Sequence, residues 1–340
     1  MGILDFLFGG NDVATGAEVD PAIVGQRIEQ VVTMVDPRLK LVEGYQRKLS
    51  KPVAQAILYC RELEAQVPAA VAMSAGAWSD SPLLRALFAT ARDIPAVFSR
   101  STDVQEFFAN APGAEEVWAG LRLVRREEKR FGMQVHGDVI QHDVAQTAVS
   151  FREKKVVLTS ESDHDMRIQI RRRGFKFLVT QALEQVASVN TRRQDLTQQR
   201  SILQARLAIL RRQCAGLESM LDHGNGVGDK IEEVEHKLAE NERSLAEFPD
   251  VGETLEYVLR RVKAVLSHGP DYIQIRPVSL RVDQMNLIVP PDSPEPAAVI
   301  VLPEVLVKRK PQLNVLVGKF PRSELIPRGS LMDEAQRMLA

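Results

Sequence analysis

Apolar residues recur at alternating steps of three and four along the middle of the chain. This seam extends from Phe175 to Leu221, and its only strongly polar members are Arg193 and Arg200. A heptad pattern kept over so many residues predicts an α-helical coiled coil. The leucines expected to make the seam contacts are Leu196, Leu203, Leu210 and Leu217.

A second seam, from Ile231 to Leu266, follows the glycine-rich segment 222–228. Glycine disfavours a continuous helix, so we expect a turn in that segment. Two heptad helices joined by a short turn predict an antiparallel hairpin, the arm, over residues 175–267. Charge supports the pairing, because residues 165–212 carry eleven basic and three acidic side chains, whereas residues 217–256 carry three basic and twelve acidic ones.

Prolines divide the first third of the chain into short helical segments. They are Pro21, Pro37, Pro52, Pro68, Pro82, Pro95 and Pro112. Several follow Asp or Ser, which cap the first turn of a helix, and proline at the first helical position loses no internal hydrogen bond. The pattern predicts a helical bundle over residues 20–131, with its last helix at about 114–130.

Outside the two heptad seams the hydrophobic period changes to two, which is typical of strands. Segments 147–151 and 155–159 predict a short β-hairpin that turns at 152–154. Further strands are predicted after the arm, at 272–275, 278–282, 286–289, 298–302, 305–307 and 313–317. Because these strands bracket the helical hairpin, we expect one sheet with the hairpin inserted in it.

The predicted fold class is therefore α+β and predominantly α. It combines an N-terminal helical bundle, a small mixed or antiparallel β head, and a long antiparallel coiled-coil hairpin inserted in the head. The predicted domains are a flexible apolar tail (1–19), the bundle (20–131), a β-hairpin part of the head (132–174), the arm (175–267), the remaining strands (268–320), and a C-terminal tail with a short helix (321–340).

Composition narrows the class of protein. The chain of 340 residues is 44% hydrophobic and carries 44 basic against 45 acidic side chains. These values exclude a disordered or collagen-like chain and a strongly charged nucleic-acid tail. Two cysteines, Cys60 and Cys214, cannot form a disulfide framework and fit a reducing compartment, so we expect a cytoplasmic protein.

The N-terminus suggests one interaction element. It is short and apolar, without the basic leading region of a signal peptide. Two interpretations stay open, a tail that frays or docks on the protein itself and an anchor for a membrane surface or a partner. The anchor residues are Ile3, Leu4, Phe6, Leu7 and Phe8.

One cluster contains side chains that could bind a metal ion. Imidazole and carboxylate groups at the edges of the predicted β-hairpin suit zinc, manganese or iron. Their spacing matches no established metal motif, and solvated turn residues explain the same pattern. The weak candidates are His136, Asp138, His142, Asp143, His164 and Asp165. No cofactor and no catalytic residue is expected.

The arginines of the first arm helix suggest that the chain could bind nucleic acid. Such residues can follow a phosphate backbone. The neutral chain, the lack of aromatic residues between 178 and 247, and the acidic second helix argue against it. We expect a non-enzymatic scaffold or adaptor that uses the arm to bind an unknown protein partner or to form a homo-oligomer. The alternatives are a nucleic-acid-binding protein and a metal-dependent enzyme with its site near His136, His142 and His164.

Overall fold

A computed structural model of the chain describes residues 19–136, 139–217, 227–247, 254–293, 295–308 and 313–327. Side chains are described for these residues except 133–142, 213–217, 227 and 254. The chain divides into two compact units. The described residues of 14–56 and 177–267 form the first unit, and those of 57–176 and 268–340 form the second.

Eight α-helices lie in the described ranges. They are α1 (Pro21–Val35), α2 (Tyr45–Ala65), α3 (Pro82–Leu87), α4 (Asp93–Ser99), α5 (Thr102–Asn110), α6 (Asp163–Leu217), α7 (Val227–Ala246) and α8 (Thr254–Ser267). Short 3-10 turns occur at Pro37–Leu41, Gly76–Trp78, Gly269–Asp271 and Arg322–Glu324. The chain passes from one unit to the other within α2 and within α6.

The second unit contains one curled sheet. Its strands are β1 (Val71–Ala72), β2 (Glu116–His136), β3 (Val139–Ser160), β4 (Ile273–Val282), β5 (Ala298–Val307) and β6 (Leu313–Pro321). The order is β3-β2-β6-β5-β4, all antiparallel, and the short β1 pairs parallel with β6. Isolated bridges Ala148↔Leu287 and Val282↔Ile288 place residues 287 and 288 beside β3 and β4.

The predicted fold class is wrong, and the finding that overturns it is the size and position of the sheet. Strand accounts for 25% of the structure, in a curled antiparallel half-barrel of five to six strands rather than a small head. Residues 116–130 form most of β2 instead of the last helix of a bundle. Helices α3, α4 and α5 pack against this sheet. Helix α6 begins at Asp163, twelve residues before the predicted seam.

Residues 152–154, predicted as the turn of a β-hairpin, are not a turn in the structure. Residues 139–160 are a single strand that pairs with β2 along its whole length. The pairs Arg122↔Lys155 and Val124↔Arg152 leave one extra residue in β3, and Glu153 has a φ of 52°. A bulge places one residue more on one strand than on its partner. The polar triplet that predicts a turn is therefore a bulge.

Two predicted strand breaks after α8 are also absent. Residues 273–282 and 298–307 are each continuous, and their prolines, Pro277 and Pro303, face each other in the β4–β5 register. Pro277 lies on the edge strand β4, and Pro303 lies just outside the two β5 residues that pair with β6, so each proline removes a ladder hydrogen bond without ending its strand. The terminal helix predicted near residue 330 lies outside the described residues.

The main core of the second unit joins helices α3–α5 to one face of the sheet. Alternate strand positions supply it, since successive side chains point to opposite faces. Phe98 of α4 stacks on Phe320 of β6 with ring centroids 4.8 Å apart. A Cβ at Gly318 would collide with the buried Met73 side chain, so glycine is required at this close approach. The buried strand residues include Val117, Ala119, Leu121, Leu123, Ile300, Leu302 and Leu316.

The opposite sheet face carries a smaller core. There Leu158 and Val317 pack with Met166 of α6 and with Val67, which follows α2. Arg167 of α6 donates to the Glu64 carboxylate at 2.9 Å. These contacts tie the first turns of α6 to the end of α2 within the second unit.

The first unit is helical. The Asp20 side chain accepts a hydrogen bond from the Ala22 backbone N–H at 2.8 Å at the start of α1, as its position before Pro21 predicts. The Tyr45 hydroxyl donates to Glu29 at 2.7 Å, and Lys48 of α2 pairs with Glu256 of α8 at 2.7 Å. Buried aliphatic residues on one face of α1 complete the core: Val24, Ile28, Val31, Val32 and Val35.

Tyr59 lies on the part of α2 that belongs to the second unit, and it tests how α2 packs against the start of β4. Its hydroxyl donates to the Ile273 carbonyl at 2.5 Å, and its ring lies where a Cβ on Gly269 would be. Burial, with smaller contributions from the charges of Cys60 and Glu62, raises the pKa of Tyr59 to about 12.

The alkaline stability of the protein should therefore depend on Tyr59. In the unfolded chain this phenol ionises near pH ~10, whereas in the fold it stays neutral to about 12. Its contribution is complete below pH ~10 and is lost as the pH rises towards 12. Over this pH window the free energy of unfolding, measured by urea denaturation, should fall less for Tyr59→Phe than for the parent. Equal losses in the two proteins would contradict the assignment.

Candidate functional site

Helices α6 and α7 lie side by side in the first unit. We refer to residues 196–212 of α6 and 231–245 of α7 as the α6–α7 pair. Arg211 forms an ion pair with Glu235 at 2.8 Å, and Asn241 donates to the Gln199 side chain at 3.4 Å. Residue numbers rise along one helix as they fall along the other, so the pair is antiparallel. Leu207 and Val234 are buried.

The predicted seam leucines are half-buried where their side chains are described. Leu196, Leu203 and Leu210 each have intermediate exposure, and Leu217 ends α6 with its side chain outside the described part. Arg200, at a predicted seam position, is exposed to solvent. Two helices alone leave one side of such leucines open, because each apolar stripe is wider than a single helical contact.

A groove of about 400 Å³ follows the α6–α7 pair. Its apolar part comes from α6 and its charged part from α7. We call it the α6–α7 groove, and its lining residues are Leu196, Gln199, Ile202, Leu203, Lys237, Glu240, Asn241 and Ser244.

Ile209 extends the apolar surface of the groove beyond Ile202, which lines it. Ile202 and Ile209 are each 57% exposed. Their spacing of seven residues puts them on one side of α6, and Arg206 lies between them on the same side. Isolated exposed apolar residues are common on protein surfaces, but two that share one side of a helix, at and beside a groove, form an apolar stripe that Arg206 interrupts.

Asn241 leaves a polar atom without a partner in this groove. The residue is 7% exposed, and its Nδ2 donates to Gln199. Its Oδ1 is buried and accepts no hydrogen bond from any residue that the structure describes. A buried polar atom without a partner costs about 1–3 kcal/mol.

Charge is divided between the two helices. Residues 192–212 carry six arginines and one aspartate, whereas residues 227–247 carry seven acidic and three basic side chains. Within the described ranges, Arg211 is the one of those six arginines that forms an ion pair. A hydrogen bond from Lys237, then the charges of Lys237 and Arg206, hold the pKa of Glu233 below its usual value. Five of the six arginines therefore form no ion pair within the described ranges, although Arg206 is close enough to Glu233 to lower its pKa.

The proposed metal candidates fall at two separate places on the second unit. Asp143 lies near the start of β3, while His164 and Asp165 begin α6 just after the strand ends at Ser160. From Asp143 to Ser160 the strand runs on the order of 55 Å along its own path, at about 3.3 Å per residue. His136 and His142 belong to β2 and β3, with side chains outside the described part, and Asp138 is not described. The described residues contain no group of three or more metal-type ligands.

The anchor candidates Ile3, Leu4, Phe6, Leu7 and Phe8 also lie outside the described residues. Among the helices that are described, none has the length and apolar character needed to cross a bilayer.

The heptad pattern predicts the seam leucines but does not single out Asn241, Ile202 or Ile209. Each isoleucine precedes a seam leucine directly, and that repeated apolar doublet is the signal that could have found them. Comparison of the chain with protein families, curated proteins and solved structures yields no match to any of them.

Proposed function

We propose that the protein is a non-enzymatic scaffold or adaptor that binds another protein through the α6–α7 groove. The observation that carries this proposal is the exposed pair Ile202 and Ile209 beside the groove. Burial of apolar surface is worth about 25 cal/mol per Å², so covering this stripe would favour association. A partner helix with apolar residues seven apart matches the spacing of the stripe.

The charges of the site support a protein partner over a small molecule. The α6 side offers exposed Arg206, and the α7 side offers Glu240 and Lys237. Charged rims around an apolar strip select the partner and its orientation more than they add affinity. A helix with acidic residues on one flank and basic residues on the other fits both sides.

Nucleic acid is the second candidate. The observation that favours it is the set of α6 arginines without an ion pair in the described ranges: Arg192, Arg193, Arg200, Arg206 and Arg212. The acidic α7 beside them would repel a phosphate backbone, and residues 178–247 lack aromatic side chains for base stacking. We therefore prefer the protein partner. We place the protein in the cytoplasm on its cysteine content, with peripheral membrane contact through residues 3–8 as an additional proposal.

Affinity capture from the source cells tests the proposal. The tagged chain is compared with Ile202→Glu/Ile209→Glu and with the control Leu41→Glu, a residue 78% exposed on a 3-10 turn of the same unit. All three should have melting temperatures within a few degrees of each other, because exposed substitutions change stability by about 0.5 kcal/mol or less.

The double variant should lose the proteins that the parent and Leu41→Glu both retain. Retention of the same proteins by all three would contradict the proposal. Salt-sensitive retention of the parent on DNA, without any specific protein, would instead favour the nucleic-acid alternative.

A further inference from the structure

We infer that the α6–α7 groove binds a second copy of this chain, with α6 of one copy against α7 of the other. This inference rests on the proposed function, because it names the partner of the same groove. Two features of the described residues support it: complementary charge, and the exposed isoleucines Ile202 and Ile209.

The basic α6 of one copy complements the acidic α7 of the other. Arg206 and Glu240 are exposed, and neither forms an ion pair within the described part of the chain. Any helix that fits along α6 must be acidic, and any helix that fits along α7 must tolerate or favour basic residues. The second copy meets both conditions, because its own α7 is acidic and its own α6 is basic.

Two-fold symmetry satisfies these contacts together. In an isologous interface, if residue i of one copy contacts residue j of the other, then j contacts i as well. Arg211 meets Glu235 and Gln199 meets Asn241 within one chain, so Arg206 and Glu240 lie within about one helical turn of the same level. A dimer that places α7 on α6 would therefore bring Arg206 near the partner's Glu240 at two equivalent points.

The apolar and polar features of the groove fit the same arrangement. Ile202 and Ile209 of both copies would be covered at once in such a four-helix contact. Asn241 is buried within the α6–α7 pair of each copy, and a single buried asparagine commonly fixes register and oligomeric state in helical bundles.

Sedimentation velocity of the full chain, over a range of micromolar concentrations, tests the inference. The parent and Leu41→Glu should show a reversible monomer–dimer equilibrium. Arg206→Glu and Glu240→Arg should each weaken dimerisation by more than about tenfold, because each replaces two attractive contacts by two repulsive ones. An equimolar mixture of the two variants should restore the dimer. In the mixed dimer one contact joins the two introduced residues, which have opposite charges, and the other keeps the original pair of Arg206 and Glu240.

A parent that stays monomeric, a dimer indifferent to both substitutions, or a mixture that stays monomeric would overturn the inference. DNA binding by a monomeric parent that is lost in Arg206→Glu would overturn it too, with nucleic acid as the occupant. The proposed function can fail separately. If the parent is monomeric but capture still depends on Ile202 and Ile209, the groove binds a different protein and only the self-association is wrong.

Discussion

Replacing Phe320 by alanine should lower the free energy of unfolding by about 3–5 kcal/mol, the range found for buried phenylalanines. Phe320 is fully buried on β6, and its ring stacks on Phe98 of α4 at a centroid distance of 4.8 Å. The substitution removes the ring and leaves a cavity between the sheet and its covering helix. Urea denaturation with a far-ultraviolet circular-dichroism readout measures the change.

Phe131→Ala is the matched control, because Phe131 lies on β2 and is 78% exposed. Surface substitutions of this kind change stability by about 0.5 kcal/mol or less. Similar losses for the two variants would show that Phe320 is not part of a closely packed core.

The second large effect is expected at a buried ion pair across the sheet. Arg125 of β2 donates to Glu304 of β5 at 3.1 Å, and their side chains are 15% and 9% exposed. Glu304→Ala would leave the guanidinium in the protein interior with Glu127 as a partly exposed neighbour at 3.4 Å. Removing one partner of a buried pair costs about 3–5 kcal/mol, and we expect a loss of that order.

A double variant distinguishes an unpaired charge from simple loss of packing. Arg125→Met with Glu304→Leu replaces both charges by apolar groups of similar volume, which is often neutral or stabilising. We therefore expect the double variant to recover most of the stability that Glu304→Ala loses. The exposed pair of Arg211 and Glu235 serves as control, since Arg211→Ala should cost less than about 1 kcal/mol. A double variant as unstable as Glu304→Ala would contradict this account.

The heptad pattern predicts helices α6 and α7 because it repeats over many turns, and tertiary contacts rarely override so long a signal. Hydrophobic periodicity does not predict the structure of residues 116–130. There Val117, Ala119, Leu121 and Leu123 occupy alternate positions, but Trp118 and Gly120 between them are not polar, so the period-two signal is weak, and the charged run that follows has helical spacing. In the structure Glu128 of that run meets Arg130 at 3.1 Å on its own strand and Arg152 at 3.7 Å on the neighbouring one.

The candidate site could be predicted only in part. The seam leucines follow from periodicity, whereas the exposure of Ile202 and Ile209 depends on the side of α6 that α7 covers. That choice depends on the contacts between the two helices around the buried Leu207 and Val234, which the periodicity of α6 alone does not specify. The separation of Asp143 from His164 and Asp165 likewise follows from the pairing of β3 with β2, which removes the predicted turn between them.

Site-specific photo-crosslinking at position 202 tests most directly whether the α6–α7 groove is a protein-binding site. A photoreactive amino acid replaces Ile202 in the full chain, and the same group replaces Leu41 in the control. Irradiation in the source cells should give a discrete protein adduct at 202, to another protein or to a second copy, and none at 41. A nucleic-acid adduct at 202, or the same background adducts at both positions, would contradict the account.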